Sequence, residues 1–171
     1  MGYRSDVRII MSKNAYKEFE KQVKKHIDNY KKNNVLKGSI TDESGYDFNL
    51  LNNLDIFRQS DDKNKLYFGW NWMKWYDGYE EVDSIMDSLN KLEDKGYGYS
   101  YGRIGESMDD YEEMYVKCTP KDNIDYLEVP PFYRYFEDDR YENNLLDSKE
   151  EEKDNEKTIW WFYTVKIKRY E

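Results

Sequence analysis

The residues of this 171-residue chain best suited to chemistry are carboxylates that stand close together. They cluster at two places, with Asp109, Asp110, Glu112 and Glu113 at the first and Asp138 and Asp139 at the second. Grouped carboxylates bind divalent cations, so a metal-dependent nuclease is one hypothesis. Neither cluster has the spacing of a calcium-binding loop, and acidic clusters of this kind are typical of a solvated surface.

Other residue types that often act in catalysis are scarce. His26 is the only histidine and Cys118 the only cysteine, which excludes an internal disulfide and a zinc site of the usual Cys/His kind. Nucleophilic catalysis would require His26 to meet Cys118 or a serine in the folded chain. The sequence therefore predicts a protein that is not an enzyme and that uses no cofactor.

Charge is distributed unevenly along the chain. The net charge is −9, and residues 107–157 hold 17 acidic and 7 basic side chains, a net charge of −10. Residues 1–37 carry 10 basic and 4 acidic side chains, a net charge of +6. Because negative charge repels phosphates, we expect no direct nucleic-acid binding. The mostly polar tract 137–157 is typical of a mobile acidic loop.

Aromatic residues make up 18% of the chain, and they concentrate in two stretches. In LYFGWNWMKW, strand alternation places Leu66, Phe68, Trp70 and Trp72 on one side. Aliphatic residues are few, so aromatic rings must supply much of the core. We therefore expect at least two of Phe68, Trp70 and Trp72 to be buried.

The second aromatic stretch, YGYSYGRIGE, predicts a tyrosine stripe. Tyr97, Tyr99 and Tyr101 share one side of this strand, and the opposite side carries mostly small residues. A base-stacking platform for RNA is disfavoured, since basic side chains do not accompany the tyrosines. Two alternatives remain: residues 107–135 cover the stripe, or the stripe is partly exposed and contacts a protein partner.

Alternation and helical periodicity together predict an α+β fold. Strands are expected at 5–11, near 53–58, at 66–75 and at 97–106, with amphipathic helices following Ser12 and over 82–92. This β-α-β-β-α-β order is the ferredoxin-like split βαβ pattern, in which two helices cover one sheet face and leave the other available. An added C-terminal strand at 159–170 and the acidic insertion at 137–157 complete a single domain, 1–171.

Targeting and membrane signals are lacking in the sequence. No apolar stretch has the length of a signal peptide or of a membrane span. A single free cysteine suits a reducing compartment. We therefore expect a cytoplasmic protein with no membrane contact, and the sequence leaves its oligomeric state open.

Three segments of the chain resemble a family of small bacteriophage and prophage proteins. These segments are the opening MGYRSDV, the stretch FGWNWMKWYDGYEEV and the strand-like YGYSYGRIGE. The resemblance covers about residues 1–12 and 66–106. It implies a phage-encoded accessory protein in an infected or lysogenic bacterial host, including the possibility of an inhibitor of host defences such as CRISPR nucleases.

The resemblance and the charge pattern together predict a partner and a mode of binding. An acidic, aromatic-bearing surface can occupy the basic nucleic-acid groove of a host defence protein or ribonucleoprotein complex, since carboxylates satisfy the same Arg and Lys groups as phosphates. The candidate contact residues are Tyr97, Tyr99, Tyr101, Asp138, Asp139, Glu150, Glu151 and Glu152. The alternatives are a sponge that sequesters a nucleotide signal and the metal-dependent nuclease.

Overall fold

The computed structural model describes residues 3–36, 48–107, 109–127, 135, 136 and 138. They form an α+β arrangement of one five-stranded antiparallel sheet and two α-helices. The elements in chain order are β1 (Ser5–Ser12), α1 (Lys13–Leu36), a short 3-10 helix (Leu50–Asn52), β2 (Ile56–Gln59), β3 (Lys65–Met73), α2 (Glu80–Asp94), β4 (Tyr99–Gly105) and β5 (Tyr111–Val116).

Strand β1 lies at the centre of the sheet, whose order is β2-β3-β1-β4-β5. Ile9 of β1 lies opposite Phe68 of β3 and Tyr101 of β4, so these three side chains share one face. Both helices pack on that face, and the main core lies between them and the sheet. The core is rich in aromatic rings, as the composition predicts.

Helix α1 begins and packs as the sequence predicts. The Ser12 side-chain oxygen accepts a hydrogen bond from the Ala15 backbone N–H at 2.9 Å, which caps the first turn. Phe19, Val23 and Ile27 recur at four-residue steps and are buried against the sheet. The predicted strand 5–11 is likewise confirmed as β1, extended by one residue to Ser12.

Helix α2 ends at a glycine. Gly96 has a φ of +74°, and its N–H donates to the Glu93 carbonyl at 2.8 Å. The Tyr97 N–H donates to the Leu92 carbonyl at 3.0 Å, which completes a Schellman motif. His26 links α2 to α1, because its Nε2 lies 2.7 Å from a Glu80 carboxylate oxygen.

The second sheet face is partly covered, contrary to the expectation that it stays available. A smaller cluster on this face joins Ile10 of β1 and Tyr67 of β3 to Leu127, which follows β5 in the chain. Its other buried member is Ile56 of β2. Segments after β5 therefore return over the centre of the sheet rather than over the tyrosine stripe.

Two further predictions concern boundaries. The strand expected near 53–58 runs over Ile56–Gln59, and the Leu50–Asn52 3-10 helix precedes it. The added strand at 159–170 lies outside the described residues, as does all of 137–157 except Asp138. Neither described helix has the length and apolar character required to cross a bilayer.

Candidate partner-binding surface

The predicted tyrosine stripe lies mainly inside the core. Tyr99 and Tyr101 are each 1% exposed, beneath the two helices, and Tyr97 is half-buried. Burial and the nearby Glu112 carboxylate raise the pKa of Tyr101. Neither Tyr99 nor Tyr101 is accessible to a partner in this conformation, because their side of β4 faces the helices rather than solvent.

Asp138 forms an ion pair with Arg8 within the protein, contrary to the expectation that it belongs to an open acidic surface. Its two carboxylate oxygens accept hydrogen bonds from Arg8 Nε and Nη2, each at 2.8 Å, and Tyr67 donates to the same carboxylate at 2.7 Å. The Phe136 ring centroid lies 5.0 Å from the Arg8 guanidinium carbon. The other predicted acidic contacts, Asp139 and Glu150–Glu152, lie outside the described residues.

A pair of glycines flanks the position of Arg8 on the second sheet face. Arg8 lies opposite Gly69 on one neighbouring strand and Gly102 on the other. A Cβ at Gly69 would lie 1.9 Å from the Val7 carbonyl oxygen and 3.0 Å from Arg8 Cδ. Gly69 therefore permits close approach of β1 and β3 and leaves room for the buried guanidinium.

The carboxylate cluster proposed for a metal ion is bound in part by arginine. Arg103 donates to both oxygens of Asp110 at 2.7 and 3.0 Å and to Glu112 at 3.3 Å. The hydrogen bonds from Arg103 lower the pKa of Asp110. Among the described residues, no group of three or more His, Cys, Asp and Glu side chains is arranged to hold a metal ion.

Strand β5 carries an exposed aromatic surface. Tyr111 and Tyr115 are 51% and 50% exposed, and the exposed Glu113 lies between them on the same side. Tyr126 is 57% exposed, and its ring centroid lies 6.0 Å from that of Tyr115. We call Tyr111, Glu113, Tyr115 and Tyr126 the acidic tyrosine surface. Asp125 is exposed beside it in the chain.

The sequence contained a signal for this surface. In YEEMYV, Tyr111, Glu113 and Tyr115 recur at every second position, which is the period of a strand. The stretch is compatible with a short helix or strand, and the structure shows a strand paired to β4. Met114 and Val116 on the opposite side of β5 pack against the main core, which directs the tyrosines outward.

Trp72 departs from the predicted alternation. Phe68 and Trp70 are fully buried as expected, but Trp72 is 64% exposed and has a φ of +55°. The β1–β3 register shifts between Ser5 and Val7, so β3 has one extra residue there. Trp75 lies against Trp70 instead, with ring centroids 5.5 Å apart.

Hydrogen bonds hold the Trp72 backbone in this conformation. Its N–H donates to an Asp6 carboxylate oxygen at 2.7 Å, and its carbonyl accepts from Arg4 Nη1 at 2.9 Å. A left-handed conformation at a bulky residue costs roughly 1–3 kcal/mol. The bulge therefore presents a large aromatic side chain in a defined position at the end of the sheet.

The basic residues of α1 line a separate cavity. This cavity measures about 640 Å³ and is lined by Lys17, Lys21, Lys24 and Lys31, together with acidic and amide side chains. Glu20 and Asp28 are the acidic members, so positive charge is only partly in excess. The cavity borders the buried face of α1, because Ile27 also lines it, together with Asn49 and Asn52.

Cys118 is a partly buried free thiol near the smaller core cluster. Burial, followed by the charges of Asp122 and Asp125, raises the pKa of Cys118 to about 11. The thiolate is the reactive form, so the environment opposes nucleophilic chemistry at this residue.

Comparisons of the chain with protein-family models, with curated proteins and with solved structures find no significant match.

Proposed function

We propose that this protein is a phage-encoded binding protein that inhibits a host defence complex of the CRISPR type. It would do so by placing an acidic, tyrosine-bearing surface in a basic groove that otherwise holds nucleic acid. The single observation that carries the proposal is the exposed row of Tyr111, Glu113 and Tyr115 on β5. Tyrosine supplies large, rigid contact area with a polar tip, and carboxylates pair with the Arg and Lys side chains of such a groove.

The charge around this surface supports the proposal. Residues 106–126 contain seven acidic and two basic side chains. Asp110 and Glu112 are bound to Arg103, and Asp122 is buried, which leaves Glu106, Asp109, Glu113 and Asp125 as exposed carboxylates. Asp139 and Glu150–Glu152 would add further negative charge to the same chain.

We also propose that the scaffold is ferredoxin-like with an appended strand. Its element order up to β4 is β-α-β-β-α-β, and β1 pairs with β3 and β4 while β2 pairs with β3. That order and pairing support a split βαβ arrangement. Strand β5 then extends the sheet beyond β4, and the acidic tyrosine surface lies on this extension.

The test is inhibition of target-DNA cleavage by a panel of purified RNA-guided nucleases. We expect wild-type protein to inhibit at least one nuclease, with inhibition weakening as salt rises. A Tyr111→Ser/Tyr115→Ser double variant should weaken inhibition about tenfold or more, as expected for interface anchors. Tyr79→Ser is the matched control, because Tyr79 is 42% exposed at the start of α2, away from β5.

A second pair of variants tests whether negative charge contributes to inhibition. Glu113→Lys should weaken inhibition, and a triple Lys substitution of Glu150, Glu151 and Glu152 tests the acidic tract separately. The proposal fails if no nuclease in the panel is inhibited, or if Tyr79→Ser weakens inhibition as much as the β5 double variant. If inhibition is unchanged by all charge reversals at both low and high salt, electrostatic attraction does not contribute to binding, and that part of the proposal is wrong.

The lysine-lined cavity on α1 favours a second candidate function, sequestration of a nucleotide signal. Lys17, Lys21, Lys24 and Lys31 could contact phosphates from one helix face. Calorimetric titration with cyclic oligonucleotides tests this function, and a Lys21→Glu/Lys24→Glu variant is the control. A titration without heat of binding would eliminate it.

A further inference from the structure

We propose that a cavity beside Trp72 receives an arginine side chain of the protein partner. The cavity measures about 350 Å³ and is lined by Trp72, Asp6, Glu106, Arg4 and parts of β4. This inference rests on the proposed function and deepens it, because it names the chemical group that the surface recognises.

The cavity lies on the same sheet face as the acidic tyrosine surface. Tyr111 pairs with Ile104, Ile104 pairs with Asp6, and Asp6 accepts the Trp72 N–H. This row crosses four neighbouring strands at about 4.8 Å per step, so Trp72 and Tyr111 lie roughly 14 Å apart. One partner element laid across the end of the sheet could contact both.

The aromatic wall of the cavity is suited to a cation. Trp72 is 64% exposed, and its backbone is fixed by hydrogen bonds at both its N–H and its carbonyl. The face of an indole attracts cations more strongly than that of any other side chain. Arginine stacks its planar guanidinium on such a ring, whereas lysine presents a compact and strongly hydrated ammonium.

Two carboxylates make the cavity negative. Asp6 commits one oxygen to the Trp72 N–H at 2.7 Å, and Glu106 commits one oxygen to the Arg4 N–H at 2.8 Å. These hydrogen bonds orient both carboxylates and leave the second oxygen of each to accept from a guanidinium.

The cation already present, Arg4, does not fill this role. Arg4 Nη1 is held by the Trp72 carbonyl at 2.9 Å, so its guanidinium supports the bulge from the side. One guanidinium also leaves the two carboxylates in excess. A buried Ile104, which is 6% exposed, closes the floor and provides apolar contact for the methylene groups of an incoming side chain.

The experiment is an NMR titration of the tryptophan indole N–H signals with N-acetyl-arginine amide. The Trp72 signal is assigned by its loss in Trp72→Phe, and the buried Trp70 provides an internal control. We expect a saturable shift of the Trp72 signal in the millimolar range, while N-acetyl-citrulline amide, the neutral isostere, gives none. The Asp6→Asn variant keeps a side-chain oxygen that can accept from the Trp72 backbone N–H, but it removes the negative charge. It should weaken binding of N-acetyl-arginine amide about threefold or more.

The outcomes separate this inference from the proposed function. The pocket is overturned if the Trp72 signal does not shift saturably, or if the citrulline derivative shifts it equally. Equal affinity for N-acetyl-lysine amide would overturn the assignment to guanidinium. If Trp72→Leu still inhibits the nuclease, the pocket does not contribute to the interface with the nuclease, but the inhibitor proposal still stands. A positive titration without inhibition of any nuclease would instead reject the inhibitor and retain the pocket.

Discussion

Arg8 and Asp138 form a bidentate ion pair that attaches the segment around Asp138 to the central strand of the sheet. Arg8 Nε and Nη2 each lie 2.8 Å from one Asp138 oxygen, across 130 positions of sequence. Arg8 is 2% exposed and also donates to the Val7 and Trp70 carbonyls at 2.9 Å. The buried guanidinium therefore depends on Asp138 for its only charged hydrogen-bond partner among the described contacts.

Replacing Asp138 with asparagine should destabilise the protein strongly. Removing one member of a buried ion pair leaves an uncompensated charge, which costs about 3–5 kcal/mol. Because the Asp138 side chain is 24% exposed, we expect the lower end, about 3 kcal/mol. Urea unfolding followed by tryptophan fluorescence measures this change. Asp125→Asn, at an exposed carboxylate, is the matched control and should change the free energy of unfolding by about 0.5 kcal/mol or less.

The same pair predicts the acid dependence of stability. Burial alone would raise the pKa of Asp138, but the hydrogen bonds from Arg8 and Tyr67 and the Arg8 charge outweigh burial and lower it below 3.8. A carboxyl group whose pKa is lower in the folded state stabilises fully above its unfolded pKa. That contribution is lost as pH falls through the folded value. Wild-type stability should therefore fall more steeply than that of Asp138→Asn below about pH 4; parallel acid limbs would contradict this account.

Truncation of two tyrosines on neighbouring strands should change stability by very different amounts. Tyr101 is 1% exposed in the main core, so Tyr101→Ala should cost about 4 kcal/mol through lost packing and a cavity. Tyr111 is 51% exposed, so Tyr111→Ala should change stability by about 0.5 kcal/mol. Urea unfolding of both variants checks the difference. Similar losses in both would mean that β5 is not an exposed edge of the described sheet.

Local periodicity explains which parts of the fold could be predicted from the sequence. The sequence predicts strand β1 and the two helices because the buried residues of each element recur at the period of a strand or of a helix. Such a period is visible within a short stretch of sequence. Tyr101 shows the limit of this reasoning. Alternation places Tyr101 on one side of its strand. Only its pairing with Ile9, and the packing of both against the helices, shows which way this side faces.

The remaining features of the candidate site depend on non-local geometry. The pairing of Asp138 with Arg8 joins residues that no local pattern relates. Strand alternation places Trp72 on the same side as Phe68 and Trp70, but a bulge interrupts that alternation, and the bulge arises only from the register between β1 and β3. The β5 tyrosines follow strand alternation, but the short acidic stretch that contains them is also compatible with a short helix.

Trp72 allows a direct measurement of backbone strain at the proposed arginine pocket. Its φ of +55° is readily adopted by glycine but is unfavourable for any residue with a Cβ. We expect Trp72→Gly to be about 1 kcal/mol more stable than Trp72→Ala, and at least as stable as wild type. The indole is 64% exposed, so its removal forfeits little packing.

Circular dichroism during urea unfolding is the appropriate measurement, because the substitution itself changes tryptophan fluorescence. Gly78 supplies the matched control: it has a φ of +84° with open space around it, so Gly78→Ala should destabilise by about 1 kcal/mol through strain alone. If Trp72→Ala equals or exceeds Trp72→Gly in stability, the bulge relaxes without strain. If glycine is the more stable, the chain keeps a tryptophan where glycine folds better, as expected of a residue retained for binding rather than for stability.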